Sequence, residues 1–338
     1  MKYREAEDYT IFQRQRYLEG IEKFVCQAEK QCEEKRFSDA ADIFDNPERH
    51  RERLRKMLGF PLIDLDLKAA KLIHKEKLSD EDGYSIYRLS FEILDDIMMS
   101  GLLFKHNEEK LPMAIVQHGG LGTPESISGI YGRENNYNNM LMRIFRQGVN
   151  VFAPQLLLWK PEDCGVKYER QITDSRLQRV GSSITAIEIY GIISIISYFE
   201  IQAYVSRFGM LGLSYGGFYT VLTAALDTRI KAALSCSWFN KREKNCIFTD
   251  WAWSNAANIL SDAEVACLIY PRQLCIEVGS RDEFFCVDGA YEEAERLKKY
   301  CEKVGCNWYD FIVFDGMHEF CEDDAPLKKF VTVLKNDF

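Results

Sequence analysis

One serine has the neighbours that a catalytic nucleophile needs. Ser214 is the centre of Gly-Leu-Ser-Tyr-Gly over 212–216, which follows an apolar run over 208–213 and opens a helical pattern. A serine on a tight strand-to-helix turn has a strained backbone, and side chains two positions away on either side would collide, so both must be glycine. The helix that begins there points backbone N–H groups at developing negative charge. The pattern therefore predicts a nucleophile elbow at Ser214.

A serine nucleophile needs a base, because its hydroxyl must lose a proton as it attacks. After an elbow of this kind the chain supplies the acid and then the base. His318 is the one histidine that follows Ser214, and it comes directly after a predicted strand. We therefore predict His318 as the base, in a loop at the carboxyl edge of the sheet. His118 is interpreted as a residue that orders its own loop.

The acid should lie between the serine and the histidine. Asp282 ends the segment Gly-Ser-Arg-Asp over 279–282, which follows a predicted strand over 274–278. Reactive groups of parallel sheets lie at such strand ends. Its role would be to accept the imidazole N–H and to fix the tautomer and orientation of His318. Glu283, Asp250 and Asp315 are the alternative carboxylates, and Asp282 itself could be a loop or helix-capping residue.

Negative charge on the substrate oxygen requires two N–H donors. The backbone N–H of Tyr215 follows the nucleophile, and the second donor should come from the loop after an early central strand. That loop is Gln-His-Gly-Gly over 117–120, after an apolar run over 113–116. Its glycines let the backbone approach a substrate carbonyl, so Gly120 or Gly119 is the predicted second donor.

Composition and charge narrow the class of protein. The chain has 338 residues, 46% of them hydrophobic, which is enough for one large domain or two ordinary ones. A net charge of -9 argues against partners such as nucleic acid or anionic membrane. Eleven cysteines without a C-x-x-C pair favour reduced thiols over a disulfide framework or a zinc site. The charged N-terminus and the absence of a long apolar run predict a cytoplasmic protein, and no metal or organic cofactor is expected.

The first 60 residues differ from the rest of the chain. They contain many charges and a helical stripe at spacings of three and four: Leu18, Ile21, Val25, Ala28 and Cys32. The stripe could form a short coiled coil, but it spans only about two heptads, so we expect it to pack on the main body. A second helix should begin at Asn46-Pro47 and end near Gly59. We predict an N-terminal helical extension over 1–60 and one α/β domain over 61–338.

The α/β domain should open with antiparallel strands and continue as a parallel sheet. Strand patterns cover 71–77, 84–94 and 97–104, with turns expected at Asp82-Gly83 and Ser100-Gly101. Beyond them, short apolar runs alternate with helical patterns, which predicts a parallel sheet with helices on both faces. Insertions over 155–182 and 236–265 follow predicted strands and could form a cap or rim around a pocket. Within the second, Trp238 is a candidate substrate contact or a packed core residue.

These motifs resemble those of the α/β-hydrolase superfamily. Within it they are similar to the esterase branch of acetyl xylan esterase-like and dienelactone hydrolase-like proteins, which is related to prolyl oligopeptidase-like hydrolases. The resemblance spans roughly residues 69–338 and rests on five segments, at 118–120, 212–217, 268–274, 279–282 and 316–320. It implies a serine hydrolase that cleaves carboxylic esters of short acyl groups, such as acetylated carbohydrates, through an acyl-enzyme.

Departures from the relatives leave other functions open. Dienelactone hydrolases use cysteine where this chain has Ser214, and the acetyl xylan deacetylases commonly carry glutamine where it has Tyr215. Tyrosine there is nearer to the prolyl oligopeptidase form, so a peptidase or amidase acting on short peptides is an alternative. A non-catalytic scaffold that acts through its N-terminal helices is another. The expected partner is a small-molecule ester, and the same helices could support a homo-oligomer.

Overall fold

The strand patterns pair into one sheet in the computed structural model, which describes residues 4–66, 68–107, 110–130, 132, 136–245 and 249–336. Within those residues the sheet has nine strands in the order β1-β2-β3-β5-β4-β6-β7-β8-β9. The strands are β1 (Lys71–Glu81), β2 (Tyr84–Leu94), β3 (Ile97–His106), β4 (Leu111–Gln117), β5 (Asn150–Pro154), β6 (Val205–Leu213), β7 (Ile230–Cys236), β8 (Gln273–Gly279) and β9 (Tyr309–Phe314).

Helices connect most of these strands. They are α1 (Glu7–Asp45), α2 (Pro47–Leu58), α3 (Pro124–Ser128), α4 (Met140–Phe145), α5 (Pro161–Cys164), α6 (Arg170–Gln178), α7 (Ile184–Glu200), α8 (Tyr215–Leu226), α9 (Arg242–Asn245), α10 (Asp262–Cys267), α11 (Val287–Val304) and α12 (Ala325–Lys335). None of the helices in the described part of the chain combines the length and the apolar character needed to cross a membrane.

The sheet begins antiparallel and becomes parallel, as the pattern predicted. Strands β1, β2, β3 and β5 pair antiparallel in that order, and every pairing from β5 through β4 to β9 is parallel. Because parallel strands end at the same edge, the segments that follow β4, β6, β8 and β9 come together there. These are the four segments that carry the predicted site residues.

The turn expected at Ser100-Gly101 is wrong. Both residues lie inside β3, and the chain reverses at Asp95-Asp96, where Asp96 has a φ of 59°. Gly101 pairs with Pro154 of β5, and a Cβ at Gly101 would lie 2.5 Å from the carbonyl oxygen of Ala153. Glycine is therefore required here for the close approach of two strands and not for a turn.

Two apolar cores cover the two faces of the sheet. Along β4, Met113 and Ile115 face the core formed with α7, α8 and α11, whereas Ala114 and Val116 face the core formed with α4 and α12. This alternation follows from the period of two along a strand. Helix α7 carries the most apolar stretch of the sequence and is buried along most of its length. The cores fix the strands from both sides and so hold the strand ends in place.

The end of α1 and the whole of α2 pack on the α/β body. Arg36 is 3% exposed and pairs with Glu264 at 3.3 Å. In α2, Leu54 and Leu58 are buried, and Arg51 donates to the carbonyl oxygen of Ala225 at 2.9 Å. Helix α2 begins at Pro47, as predicted. The domain boundary near residue 60 stays a prediction.

The apolar stripe of α1 does not pack as expected. Leu18, Ile21 and Val25 are 56%, 45% and 43% exposed. Only its last two members, Ala28 and Cys32, are half-buried. The expectation of packing on the body is therefore wrong for the first part of the stripe, because α1 runs past the edge of the body there.

Candidate active site

Ser214 occupies a strained turn between β6 and α8. Its φ is 58° and its ψ is -123°, which few residues other than glycine adopt. Its N–H donates to the carbonyl oxygen of Cys236 at 2.8 Å. A Cβ at Gly212 would lie 2.5 Å from the carbonyl carbon of Gly216, and one at Gly216 would lie 2.2 Å from the carbonyl oxygen of Gln117. Both glycines are thus required, and the geometry is that of the predicted elbow.

His318 and Asp282 are brought together at the same edge of the sheet. The Nδ1 atom of His318 lies 2.9 Å from Oδ2 of Asp282, whose side chain is fully buried. The second carboxylate oxygen accepts the backbone N–H groups of Phe284 at 2.8 Å and Phe285 at 2.9 Å. With Nδ1–H donated to the carboxylate, Nε2 is the nitrogen available to accept a proton.

The loop of His318 lies beside the elbow. Both are tied to the end of β7 through Cys236, whose carbonyl oxygen accepts from the N–H of Ser214. The Cys236 thiol donates to the carbonyl oxygen of Glu319 at 3.2 Å. The segments that carry Ser214 and His318 therefore both contact the end of β7.

The alternative acids have other partners or positions. Asp250 is buried and lies 2.7 Å from Arg170. Asp315 pairs with Arg281 at 2.9 Å on the surface, and Glu283 is exposed. Asp282 is thus the carboxylate among these candidates that bonds to the imidazole.

The loop after β4 approaches the nucleophile with its glycines. A Cβ at Gly119 would lie 3.2 Å from Cβ of Ser214, and one at Gly120 would lie 3.3 Å from the Tyr215 ring. The N–H of Gly119 already donates to the hydroxyl of Tyr137 at 2.9 Å. Of the two predicted glycine donors, Gly120 therefore keeps the freer amide for a substrate oxygen.

His118 holds this loop in place. Its side chain is buried, with Nδ1 2.9 Å from the carbonyl oxygen of Gly119 and Nε2 accepting the N–H of Leu156 at 3.1 Å. Burial lowers the pKa of His118 to about 4, so the imidazole is neutral at pH 7. These bonds fit the loop-ordering role expected from the sequence. No three His, Cys, Asp or Glu side chains converge as a metal site within the described residues.

Comparisons with known proteins support the architecture. No model of a known protein family matches the sequence, and no curated protein matches it. Solved structures do match. A glucuronoyl esterase from Solibacter usitatus superposes with a TM-score of 0.62 at 13% identity, over 86% of this chain and 92% of that one. Acetyl xylan esterase 1 from Thermoanaerobacterium sp. superposes with a TM-score of 0.56 at 16% identity, over 87% of this chain and 94% of that one. A promiscuous esterase from a marine bacterial metagenome superposes with a TM-score of 0.59 at 16% identity, over 86% of this chain and 92% of that one.

The chain has the α/β-hydrolase fold. Identities of this size show the fold alone, so the chemistry has to be argued from the site.

In this α/β-hydrolase fold, aromatic side chains pack between the Ser214 turn and His318. The Tyr215 ring stacks on Trp251 with centroids 5.3 Å apart and planes 4° apart. Trp238 lies 4.5 Å from Trp251 and 5.1 Å from Phe285, whose ring stacks on His318 at 5.7 Å. Trp238 is 3% exposed, which favours the packing role, and a substrate contact by Trp238 stays a prediction.

A buried polar network adjoins the Ser214 turn of this α/β-hydrolase fold. Arg170 lies 2.7 Å from Asp250, 3.0 Å from Glu188 and 2.7 Å from the hydroxyl of Tyr219. The Tyr215 hydroxyl donates to Asp250 at 3.0 Å. Through these contacts both insertions predicted from the sequence are joined to the residue after the nucleophile. Sequence reasoning missed the network, because its members lie far apart in the chain and share no spacing.

Proposed function

We propose that this protein is a serine hydrolase of carboxylic esters with the triad Ser214, His318 and Asp282. The observation that carries the proposal is the His318–Asp282 hydrogen bond beside a strained, glycine-flanked Ser214 at one strand edge. A buried carboxylate that fixes an imidazole in this way leaves its other nitrogen to serve a serine hydroxyl. A scaffold that only binds would have no need of this arrangement.

The proposed reaction has two halves, acylation of Ser214 and hydrolysis of the acyl-enzyme. Ser214 Oγ attacks the ester carbonyl while Nε2 of His318 takes its proton. The backbone N–H groups of Tyr215 and Gly120 stabilise the oxyanion of the tetrahedral intermediate. His318 then returns the proton to the departing alcohol, which leaves an acyl-enzyme. Water attacks that ester with His318 as base, and the carboxylic acid leaves as Ser214 regains its proton.

Asp282 remains ionised through the cycle. Its contact with Nδ1 stabilises the imidazolium that forms when His318 holds the proton. The N–H groups of Phe284 and Phe285 hold the other carboxylate oxygen, so the carboxylate cannot rotate away from the ring.

Short-chain esters, including acetylated carbohydrates, are the proposed substrates. Solved structures of the same fold include an acetyl xylan esterase and a glucuronoyl esterase, which supports an ester of a carbohydrate. The close-packed aromatic side chains around Tyr215 and His318 support a small acyl group, because Trp238 and Trp251 are almost fully buried beside them. A glycan would extend from the open edge of the sheet.

Active-site labelling tests the proposal. Intact protein treated with a fluorophosphonate should gain one adduct that maps to Ser214 and is lost in Ser214→Ala and His318→Ala. Ser280→Ala, which alters an exposed serine at the same strand edge, is the matched control and should label like the wild type. Absence of an adduct in folded wild-type protein would contradict an activated serine.

Matched substrates then separate ester from amide hydrolysis. We expect hydrolysis of p-nitrophenyl acetate to exceed that of p-nitrophenyl octanoate and of acetyl p-nitroanilide by at least about tenfold in kcat/KM, since an amide must expel a poorer leaving group. Comparable rates on the anilide would instead favour the peptidase or amidase alternative.

A further inference from the structure

The first half of α1 exposes a set of large apolar side chains that the body does not cover. Between residues 9 and 25 eight such side chains are 43% to 74% exposed: Tyr9, Ile11, Phe12, Tyr17, Leu18, Ile21, Phe24 and Val25. Burial against the body begins further along the helix, where Ala28 and Glu29 are half-buried, and Glu33 and Arg36 then form ion pairs with the body. A helical segment of this length has marginal stability alone in water, so this half of α1 lacks a stabilising partner.

The exposed residues follow a heptad pattern longer than the stripe read from the sequence. Ile11, Leu18 and Val25 are separated by seven residues, and Ile21 lies three residues after Leu18. Arg14 and Ala28 extend the same alternation of three and four, which then runs from position 11 to position 32 over three heptads. A period of 3.5 residues is the signature of helices that pack along each other as a coiled coil.

We propose that residues 11–28 of α1 form an antiparallel coiled coil with the same segment of a second copy of this chain. At 100° per residue, six of the eight exposed apolar side chains fall within roughly 140° of the helix surface. Phe12 and Tyr9 lie outside that arc. The seam is therefore one continuous face and not a scattering of apolar residues.

The area of the face suits a dimer. If each of the six side chains leaves roughly 100 Å² open, about half of what an aromatic residue buries, they offer roughly 600 Å². The stems of neighbouring polar residues add to this. The two copies together would bury roughly 1,200 Å², which is below the average interface but above the minimum of about 1,000 Å² expected of a specific one.

Charge favours the antiparallel orientation. In a parallel pair Arg14 would lie opposite Arg14 of the second copy, and two like charges would meet at the seam. An antiparallel pair that places Leu18 opposite Ile21 of the second copy places Arg14 opposite Val25 of that copy. The two guanidinium groups are then well separated, and the apolar residues still meet each other.

Sedimentation velocity of the full chain between 5 and 100 µM tests the proposal. The wild type should sediment as a dimer, at twice the chain mass of 39.3 kDa. The double change Leu18→Glu with Ile21→Glu should raise the dissociation constant by at least about 100-fold, because it places four carboxylates in the seam. Phe12→Glu is the matched control: it converts an equally exposed apolar residue of the same helix, but outside the face.

The outcomes separate clearly. A dimer in wild type and Phe12→Glu with a monomer in the double variant supports the proposal, and cooperative thermal unfolding of all three proteins checks that the double variant is folded. A monomeric wild type at 100 µM overturns it. A dimer that survives the double change also overturns it, because another surface would then hold the copies together. The mass measurement does not depend on the proposed function.

Disulfide trapping tests the orientation. Leu18→Cys and Ile21→Cys are each prepared with Cys26→Ser, because Cys26 is an exposed thiol on the same helix. Mixed and oxidised, the two variants should form the disulfide between unlike chains faster than either forms it with itself. Faster self-pairing of Leu18→Cys would overturn the antiparallel arrangement.

Discussion

At the scale of single residues, the position of the proton on His318 depends on Asp282. Its carboxylate accepts hydrogen bonds from Nδ1 of His318 and from two backbone N–H groups, so Asp282 acts as the acceptor in every one of these bonds. Asp282→Asn keeps an oxygen for Phe284 and Phe285 but presents an amide N–H to Nδ1. The imidazole would then carry its proton on Nε2, where it cannot accept one from Ser214.

We therefore expect Asp282→Asn to lower kcat on p-nitrophenyl acetate by about 10³-fold or more while KM and the melting temperature change little. The measurement is steady-state kinetics together with thermal unfolding. A loss of less than tenfold in kcat would show that another group orients His318.

The Tyr215 hydroxyl is a second residue-scale test. Tyr215→Phe removes its bond to Asp250 but keeps the ring stacked on Trp251. Because the N–H of Tyr215 is the proposed oxyanion donor, freeing its side chain should loosen that donor and lower kcat by about tenfold with little change in KM. Tyr215 would act here as a positioning residue through its side chain.

Tyr219→Phe is the matched control for that change, because Tyr219 belongs to the same network one helical turn further from the nucleophile. It loses its bonds to Glu188 and Arg170 and should cost about 1–2 kcal/mol of stability with little change in kcat. An equal loss of kcat in both variants would contradict a specific role of the Tyr215 hydroxyl, and an unchanged kcat in both would show that the network acts on folding alone.

Glu277 makes stability depend on pH. Burial raises its pKa from 4.5 to about 8, and the neighbouring Cys236 side chain and the charge of Arg143 oppose the rise. The folded protein keeps a proton on Glu277 that the unfolded chain releases, so stability falls as the pH rises from 4.5 to 8 and levels off above that. At higher pH the folded state must hold a buried carboxylate.

Glu277→Gln removes this dependence with a neutral side chain of the same shape. Relative to the variant, the wild type should lose roughly 2–4 kcal/mol of unfolding free energy between pH 5 and pH 8.5. Urea unfolding at several pH values measures the difference, in which all other titrating groups cancel. Parallel pH profiles for the two proteins would contradict the assignment.

At the scale of elements, the sequence pattern predicted those strands and turns that are determined by neighbouring residues in the chain. The strand over 84–94 has the predicted bounds, because the turn at Asp82-Gly83 and the apolar period define it. The turn at Ser214 was predictable because the two glycines that flank it, Gly212 and Gly216, are required by their close contacts. The position of Gly101 inside β3 was not predictable, because the glycine is required by the close approach of β5, which follows some fifty residues later in the chain.

Predictions for whole elements were wrong or missing where tertiary contacts determine which residues are buried. The α1 stripe predicts a buried face, but whether the body or a second helix buries it depends on where the helix lies. The Arg170 network joins α6, α7 and α8 with Asp250, and no short-range spacing marks it. Such contacts are visible only once the sheet has brought the segments together.

At the scale of the whole molecule, one edge of the sheet carries all the residues of the proposed site. Gly120 follows β4, Ser214 follows β6, Asp282 follows β8 and His318 follows β9. The parallel pairing of these strands brings four distant segments, with the residues of the proposed site, to one edge of the sheet. The geometry of the proposed site therefore depends on the stability of the sheet. Any part of the chain that stabilises the sheet also holds the site residues in place.

That relation distinguishes two truncations of the N-terminus. Residues 1–28 include the exposed half of α1, so their removal should leave the melting temperature within a few degrees and kcat/KM within about twofold. Removal of residues 1–60 also takes Leu54 and Leu58, which are 0% and 1% exposed, and the bonds of Arg51 to Ala225 and Leu268.

Each buried leucine is worth about 2–5 kcal/mol, so the longer deletion removes much of the 5–15 kcal/mol that stabilises a typical domain. We expect it to abolish soluble, cooperatively unfolding protein, measured by thermal unfolding and sedimentation. If the longer truncation instead folds and hydrolyses p-nitrophenyl acetate like the shorter one, α2 is a detachable extension. If it does not, the α/β body begins between residues 29 and 60, because the face of the sheet that carries α8 needs α2 to complete its core.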